Sequence, residues 1–364
     1  MATPSATWDY REAFTDDFAR TYFRAFDDGV VSSVGLGTYL GDATDDADEA
    51  YHEAIVAALE AGSNVVDTAI NYRHQRSERV VGAAVEAADV DRDAVFVATK
   101  GGFVPFDEDR PADPGQYVRE TFVDPGLIDS DDLVRGQHCI APSFLDDQFD
   151  RSRENLGVDT IDCYYVHNPE TQLEARSQEA VYDQLEDAFA ALERRVAAGE
   201  LRHYGVATWE ALRVGPEDEA YLSLAEIEAR AAAAAEREGT DDSHLAAIQL
   251  PFNVAMADAF TVEGQPEPDG EGRTSALWYA REAGLHVFTS ASLLQGRLAD
   301  GLPEAVAREL SGETAAQRAI NFARSAPGVT SALVGTGSPS HVAENVGAGT
   351  YEPLGAGAFD AVFE

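Results

Sequence analysis

Four side chains that can exchange protons stand where short apolar runs of the chain end. The run 64–68 carries Asp67 and is followed by Tyr72, the run 95–99 is followed by Lys100, and the run 161–166 is followed by His167. Lys100 is the one lysine among 26 basic residues, the others being arginines. Lysine is a compact ammonium whose pKa moves when it is desolvated, whereas arginine stays charged. Its placement therefore indicates chemistry that tunes a proton or forms an imine.

These residue types form a coherent device for protonating an oxygen atom. A tyrosine has a pKa of about 10 and is a poor acid at neutral pH. A nearby ammonium such as Lys100 favours the tyrosinate and is expected to lower that pKa, and a carboxylate such as Asp67 holds the ammonium in place. A histidine beside them can donate a hydrogen bond to a substrate carbonyl. The set predicts proton donation to an oxygen while another group delivers hydride to its carbon.

The elements that must position these residues are eight apolar runs that alternate with helical patterns. The predicted strands are 30–34, 64–68, 95–99, 161–166, 201–206, 245–250, 286–289 and 330–334. The predicted helices are 46–61, 77–87, 143–156, 177–198, 222–238, 274–283, 315–324 and 339–346, several of them followed by glycine.

Eight near-continuously apolar strands, each followed by a helix, predict an α/β fold of the closed (β/α)8 TIM-barrel type, although an open doubly wound sheet has a similar pattern. In such a barrel, reactive side chains sit where strands pass into loops. Asp67, Tyr72, Lys100 and His167 would then converge on one face from three adjacent strands.

The predicted organisation is an N-terminal extension over 1–29, a barrel over 30–347 and a tail over 348–364. Two segments interrupt the alternation, a long insertion over 101–141 after the third strand and a shorter one over 257–272 after the sixth. Long insertions at strand ends are commonly lids or substrate loops. We expect both to lack regular structure and the first to form much of the pocket wall.

The charge balance is strongly acidic, with 66 acidic against 26 basic residues and a net charge of −40. Such a surface repels nucleic acid and anionic membranes, so the expected partner is a small molecule. An acidic coat with one lysine suits a salt-rich cytosol, which predicts a halophile's cytoplasmic protein. The N-terminal 24 residues lack a signal-type apolar run, and no segment approaches 18 consecutive apolar residues.

Candidate metal ligands are not apparent. Cys139 and Cys163 have no paired metal spacing, and Cys163, inside an apolar run, is interpreted as a core residue. His138 and Cys139 are interpreted as loop residues, and no metal is predicted.

The order Asp-Thr-Ala-x-x-Tyr, a strand ending in Thr-Lys, and Tyr-x-x-His-x-Pro resembles the aldo-keto reductase superfamily over residues 30–347. The acidic composition suggests a haloarchaeal-type member. The resemblance implies an NAD(P)H-dependent oxidoreductase that interconverts a carbonyl (aldehyde, ketone or aldose) and an alcohol. It assigns Tyr72 as general acid, Lys100 and Asp67 as its tuning pair, and His167 as the residue that orients the carbonyl.

The cofactor motifs resemble the family less closely. Ala207 and Thr208 stand where the family usually carries Ser-Asn, and Gln249 matches its carboxamide-binding glutamine. The segment 290–298 resembles the pyrophosphate loop but lacks its usual proline, and Ser290 replaces a tyrosine that stacks on the nicotinamide in many members.

The last candidate site is the glycine-rich turn that opens helix 339–346, a type of turn that binds anions. Glu344 and Asn345 resemble the adenine-binding pair. Gly335 and His341 occupy positions where NADP-preferring members often carry Lys and Arg, so NADP is the family expectation and NAD stays open. The predicted cofactor-binding residues are Thr208, Gln249, Ser290, Ser292, Leu293, Gln295, Gly335, Ser338, His341, Glu344 and Asn345, with Arg297 and His341 as possible phosphate partners.

Two other functions are compatible with these residues. One is a nicotinamide-binding regulatory or redox-sensing subunit of the same fold with slow turnover. The other is a Schiff-base barrel in which Lys100 is an aldolase-type amine. The expected pairing of Lys100 with Asp67 argues against the second, because a paired lysine is protonated.

Overall fold

The structure is a computed structural model and describes residues 1–268 and 270–363. The strands are β1 (Phe23–Phe26), β2 (Gly29–Ser32), β3 (Val34–Gly37), β4 (Val65–Asp67), β5 (Phe96–Gly101), β6 (Ile161–His167), β7 (Leu201–Ala207), β8 (Leu245–Pro251), β9 (Gln265–Pro266), β10 (Arg273–Thr274), β11 (His286–Ser290) and β12 (Val329–Gly335). The α-helices are α1 (Pro4–Ala13), α2 (Asp45–Glu60), α3 (Arg76–Ala87), α4 (Pro114–Val118), α5 (Pro142–Leu156), α6 (Gln178–Ala197), α7 (Leu224–Glu238), α8 (Asp258–Thr261), α9 (Ala276–Ala283), α10 (Glu304–Glu309), α11 (Ala315–Ser325), α12 (Pro339–Gly347) and α13 (Ala356–Asp360).

Eight strands close into a parallel barrel in the order β3-β4-β5-β6-β7-β8-β11-β12, with β12 pairing back to β3. This confirms the predicted (β/α)8 barrel and excludes the open sheet, which would leave two unpaired edges. Helices pack around the outside, and the strands bury both faces, which explains their near-continuous apolar sequences. Within the described residues, no helix is both long and apolar enough to cross a membrane.

Local sequence signals explain many helix ends. The side chains of Thr44, Ser177, Ser275 and Thr314 accept hydrogen bonds from backbone N–H groups at the starts of α2, α6, α9 and α11. Helices α5, α7 and α9 end at Gly157, Gly239 and Gly284, each with a left-handed φ that glycine adopts without steric cost.

The first barrel strand lies later than predicted, because the apolar run 30–34 is divided between two structures. Gly29–Ser32 pairs antiparallel with Phe23–Phe26 as a hairpin, and the barrel begins at Val34. The hairpin covers the amino-terminal end of the barrel, where the Phe26 ring lies 4.7 Å from that of Phe96. The active-site end is therefore the opposite, carboxyl-terminal one.

The two insertions contain more regular structure than expected. The segment 101–141 holds α4, two further short helical turns and a small apolar core of its own, whose buried members include Val118, Phe122 and Ile128. The segment 257–272 holds α8 and β9, and β9 pairs with β10 just beyond it. Neither pattern is periodic enough in sequence to be predicted.

Candidate active site

The four predicted catalytic residues meet at the carboxyl-terminal end of the barrel. Asp67 ends β4, Lys100 lies one residue before the end of β5, and His167 ends β6. Tyr72 lies in the 3-10 turn Tyr72–Gln75 that follows β4. Because β4, β5 and β6 are consecutive in the barrel, these side chains face one another as the strand order requires.

Asp67 and Lys100 form a buried ion pair. Lys100 Nζ lies 2.5 Å from Asp67 Oδ1 and donates a second hydrogen bond to the Thr68 carbonyl at 2.8 Å. Gln249 Nε2 donates to Asp67 Oδ2 at 2.8 Å, so both carboxylate oxygens accept a hydrogen bond. Lys100 is 1% exposed. This is the arrangement of an ionised carboxylate and a protonated amine.

The pKa directions follow from this burial. Burial raises the pKa of the Asp67 carboxyl, and the Lys100 ammonium and Gln249 oppose that rise. Burial also disfavours the charged lysine, but the Asp67 carboxylate and Tyr72 outweigh it and raise the pKa of Lys100. Lys100 is therefore held protonated at neutral pH.

Tyr72 lies against both Lys100 and His167. Lys100 Nζ is 5.0 Å from the centre of the Tyr72 ring, and the rings of Tyr72 and His167 meet edge to face at 5.9 Å. The exposed Tyr39 packs edge to face against Tyr72, with the ring centres 5.1 Å apart. Burial raises the pKa of Tyr72 and outweighs the lowering effect of the Lys100 ammonium. The expected net lowering of this pKa is therefore wrong, and Tyr72 is a protonated phenol at neutral pH.

The turn that carries Tyr72 is held by the next residue. Arg73 has a left-handed φ of 47° and is buried. Its Nε donates to the Asp42 carbonyl at 3.2 Å, its guanidinium pairs with Asp48, and it lies over the Tyr51 ring at 4.9 Å. These contacts attach the Tyr72 turn to the start of α2.

His167 is held neutral by its surroundings. Burial, the Lys100 ammonium and His138 lower its pKa well below the ordinary value. A neutral imidazole can donate a hydrogen bond to a carbonyl oxygen without adding a charge to the site. Phe103, from the first insertion, packs edge-on against the same ring at 5.0 Å.

A cavity of about 460 Å³ opens over these residues. Asp67, Tyr72 and His167 line it, whereas Lys100 lies behind them. The cavity-lining residues are Gly37, Thr38, Tyr39, Leu40, Asp67, Asn71, Tyr72, Phe103, His167, Asn168, Ala207, Thr208, Trp209, Gln249, Ser290, Ala291, Ser292, Leu293, Gln295, Gly296, Leu333 and Gly335. Of the insertion 101–141, this set includes Phe103 alone, so the expectation that the insertion forms much of the wall is wrong.

The predicted cofactor residues divide into two groups. Seven line the cavity, namely Thr208, Gln249, Ser290, Ser292, Leu293, Gln295 and Gly335. Four lie outside that lining, at the start of α12 or along it, namely Ser338, His341, Glu344 and Asn345. His341 is exposed, whereas Asn345 is buried.

The cavity offers groups that fit a nicotinamide dinucleotide. Thr208 Oγ1 is buried and has no hydrogen-bond partner within residues 1–268 and 270–363, so it is free to bind a carboxamide. The loop after β11 turns through left-handed residues at Ala291, Leu294 and Gln295, with φ of 54°, 48° and 55°. Gln249 donates one amide hydrogen to Asp67, so its carbonyl oxygen and its second amide hydrogen are left for a ligand.

Several cavity residues had no signal in the sequence. Tyr39, Leu40, Asn71 and Leu333 line the cavity because they flank strand ends or turns, but no motif marks them. Trp209, which is 45% exposed, also lines the cavity; its position after a strand leaves pocket wall and barrel-rim packing equally open in the sequence.

Parts of the chain are similar in sequence to known proteins. A sequence model described as the aldo/keto reductase family matches residues 33–225. The chain is 33% identical over 135 residues to 2,5-diketo-D-gluconic acid reductase B of Corynebacterium sp. (strain SHS752001), a match that covers 37% of this chain and 34% of that protein. It is 30% identical over 143 residues to an aldo-keto reductase of Mycolicibacterium smegmatis, covering 39% and 36%. The chain thus spans about a third of the length of these curated relatives.

Solved structures extend the likeness of the fold to nearly the whole chain. The holo form of an aldo-keto reductase from Bacillus halodurans superposes with a TM-score of 0.64 at 19% identity, covering 94% of this chain and 95% of that one. An aldo/keto reductase from Klebsiella pneumoniae in complex with NADP and acetate gives 0.61 at 20% identity, covering 94% of both chains. Since the family's sequence model spans more than half of the residues, the chain belongs to the aldo/keto reductase family.

Proposed function

We propose that the protein is an NADP(H)- or NAD(H)-dependent oxidoreductase that interconverts a carbonyl compound and its alcohol. Tyr72 is the general acid in reduction and the general base in oxidation. Lys100 and Asp67 tune and hold Tyr72, and His167 orients the carbonyl oxygen. Family membership and the geometry of the site both support this assignment.

The observation that carries the proposal is the position of Lys100 between Asp67 and Tyr72. Its ammonium pairs with the carboxylate at 2.5 Å and lies 5.0 Å from the phenol ring. When Tyr72 gives its proton to a substrate oxygen, the tyrosinate that remains lies beside a fixed positive charge. Asp67 keeps that charge in place through its ion pair. Burial raises the pKa of Tyr72, so the phenol starts protonated, as reduction requires.

The cofactor lies along the cavity-lining residues in this proposal. Thr208 Oγ1 and the carbonyl oxygen of Gln249 would hold the carboxamide, and the loop from Ser290 to Gly296 would hold the pyrophosphate through its backbone. The bound reduced nicotinamide would supply the hydride to the carbonyl carbon. Leu293 and Ser290 line the cavity, and neither offers an aromatic ring for stacking.

The lining favours an uncharged substrate. Tyr39, Leu40, Phe103 and Trp209 supply apolar and aromatic surface, and no arginine or lysine occurs among the described residues that line the cavity. A substrate carboxylate placed there would lose hydration without gaining a cation. One relative is named for a sugar acid, 2,5-diketo-D-gluconic acid. We propose instead a neutral aldehyde or ketone with an apolar or aromatic substituent.

Schiff-base chemistry is disfavoured, because an imine forms from a free amine. Lys100 is paired, has a raised pKa and lies behind the cavity wall. A regulatory nicotinamide-binding protein differs from an enzyme in turnover, which can be measured directly.

The test has two stages, both in molar KCl. The protein is titrated with NADPH and then NADH while nicotinamide fluorescence is followed, and a neutral aromatic aldehyde is then added in excess. Saturable binding followed by oxidation of many equivalents of cofactor supports the proposal. Binding with oxidation of a single equivalent indicates the regulatory alternative, and no binding of either cofactor contradicts both.

A further inference from the structure

The two ends of the first insertion pair with each other directly behind His167. Phe103 and His138 form an antiparallel bridge, the Cys139 N–H donates to the Gly102 carbonyl at 2.8 Å, and the Val104 N–H donates to the Gln137 carbonyl at 2.8 Å. The contact with His167 is close. A Cβ added to Gly102 would come within 2.9 Å of the His167 carbonyl oxygen. The insertion therefore returns to the catalytic end of the barrel at His138.

The hydrogen bonds of His138 fix its tautomer. Gln172 Nε2 lies 2.8 Å from His138 Nδ1 and 3.2 Å from its carbonyl oxygen. Since the amide nitrogen can only donate, Nδ1 must accept, and the proton of a neutral ring must then be on Nε2. That Nε2 lies 2.7 Å from the His167 carbonyl oxygen and donates to it.

The burial of His138 keeps its ring in this neutral tautomer over a wide pH range. The residue is fully buried, and burial lowers its pKa to about 4. Above that pH the ring stays neutral, with Nδ1 as acceptor and Nε2–H as donor. Phe103 packs edge-on between the rings of His138 at 4.7 Å and His167 at 5.0 Å.

The ring of His167 needs such support. Its Nδ1 is buried and has no hydrogen-bond partner in the part of the chain that the structure describes. The next residue, Asn168, has a left-handed φ of 48°, so the backbone turns sharply there. The ring is thus oriented by its backbone and by packing between Tyr72 and Phe103, and not by a hydrogen bond to Nδ1.

We propose that His138 is a positioning residue for His167. By donating to the His167 carbonyl it fixes the backbone from which the His167 ring projects toward Tyr72, and Gln172 fixes the tautomer that makes this possible. The insertion thereby controls the rate of the chemical step while contributing Phe103 to the cavity wall. This inference rests on the proposed function of Tyr72 and His167.

Two substitutions at His138 test the proposal. His138→Met has a similar length and no donor, whereas His138→Gln keeps an N–H near the position of Nε2. We expect His138→Met to lower kcat by about 10- to 100-fold, since small displacements of reacting groups have effects of this size. NADPH affinity should stay unchanged, and His138→Gln should recover most of kcat. Unchanged kcat in the methionine variant, or equal losses in both variants, would overturn the proposal.

A second measurement does not depend on activity. In ¹⁵N-histidine-labelled wild-type protein, the ring signals lost in His138→Gln belong to His138. They should report a neutral ring protonated on Nε2 at every pH well above 4. A ring protonated on Nδ1 or on both nitrogens contradicts the assignment. If His138→Met does not fold, Gln172→Met is tested in its place. This change keeps His138 but removes the amide donor that fixes its tautomer. An unchanged kcat in this variant would also overturn the proposal.

The two proposals fail in different ways. A wild-type protein that binds cofactor but never reduces a carbonyl refutes the proposed function, and the tautomer measurement then still decides the His138 hydrogen bond. An active wild-type protein whose kcat does not respond to His138 refutes the positioning role alone.

Discussion

Lys100 Nζ lies 2.5 Å from Asp67 Oδ1, at a depth where the lysine is 1% exposed. The other oxygen of the same carboxylate accepts from Gln249, on the opposite side of the barrel, at 2.8 Å. The pair therefore connects the predicted catalytic residues on β4 and β5 to a predicted cofactor residue on β8. Each member of the pair also makes a second hydrogen bond, Lys100 to the Thr68 carbonyl and Asp67 to Gln249. We interpret the pair as a fixed charge that acts on Tyr72.

Removing the lysine tests this interpretation. Lys100→Met should lower kcat by at least about 10²-fold, because the tyrosinate loses its ammonium neighbour. The free energy of unfolding should fall by about 3–5 kcal/mol, since Asp67 is left buried without its partner. The double variant Lys100→Met/Asp67→Asn should recover part of the stability in urea unfolding and none of the activity. Recovery of activity in the double variant would show that the charge is not needed.

His138 makes stability depend on pH with a defined sign. Its pKa falls from 6.5 to about 4 on burial, so between these values the unfolded chain binds a proton that the fold rejects. The neutral His138 ring therefore contributes up to about 3 kcal/mol to the free energy of unfolding above about pH 6.5. This contribution is lost as the pH falls toward 4. The stability difference between the wild type and His138→Gln should therefore shrink on acidification. Urea unfolding of both proteins at pH 7 and 4.5 measures this difference. The variant His52→Gln, at a partly exposed histidine, is the control. A difference independent of pH contradicts a buried neutral ring.

The uncharged lining of the cavity predicts selectivity by charge. A 4-methylbenzaldehyde should be reduced with a kcat/KM at least about 10-fold above that of 4-carboxybenzaldehyde, because the carboxylate loses hydration without gaining a cation. Trp209→Arg introduces a cation on the wall and should narrow this ratio. Steady-state kinetics in molar KCl give both ratios. Equal rates for the two aldehydes in the wild type would refute the proposed substrate class.

The acidic surface predicts a requirement for salt. Some arginines pair with several carboxylates, as Arg230 does with Glu179, Asp183, Glu186 and Glu226, yet 66 acidic residues far outnumber 26 basic ones. Screening by KCl relieves the remaining repulsion. Raising KCl from about 0.1 to 2 M should increase Tm by at least about 5 °C, or roughly 4 kcal/mol at the size of this chain. A Tm that does not rise would contradict the inference of a halophile's cytoplasmic protein.

The barrel and the meeting of the predicted catalytic residues can be predicted from the sequence for one physical reason. Parallel strands buried on both faces are marked by apolar runs, and their carboxyl ends meet at one edge of the barrel, so the sequence alone predicts that Asp67, Lys100 and His167 lie together. The first strand was misplaced because Val30 and Val31 are as apolar in a hairpin as in a barrel.

Other features depend on contacts between distant segments. The raised pKa of Tyr72 reflects its burial, with Tyr39 as one of its packing neighbours, and no spacing in the sequence reports that contact. The hydrogen bonds of the loop residue His138 cannot be predicted from the sequence, because its partners, His167 and Gln172, lie some thirty residues away. The insertion 101–141 folds around its own small core, which is too irregular to give a helix or strand period.

The measurement that tests the account most directly is turnover by Tyr72→Phe. The variant keeps the ring against Lys100 and His167 and loses only the hydroxyl. We predict that NADPH binding stays nearly unchanged while kcat falls by about 10²–10⁴-fold, the usual contribution of a general acid. Tyr351→Phe, in the C-terminal segment, is the matched control and should behave as wild type. A Tyr72→Phe protein that reduces the same aldehyde at the wild-type rate would contradict the account, because Tyr72 would then not be the proton donor.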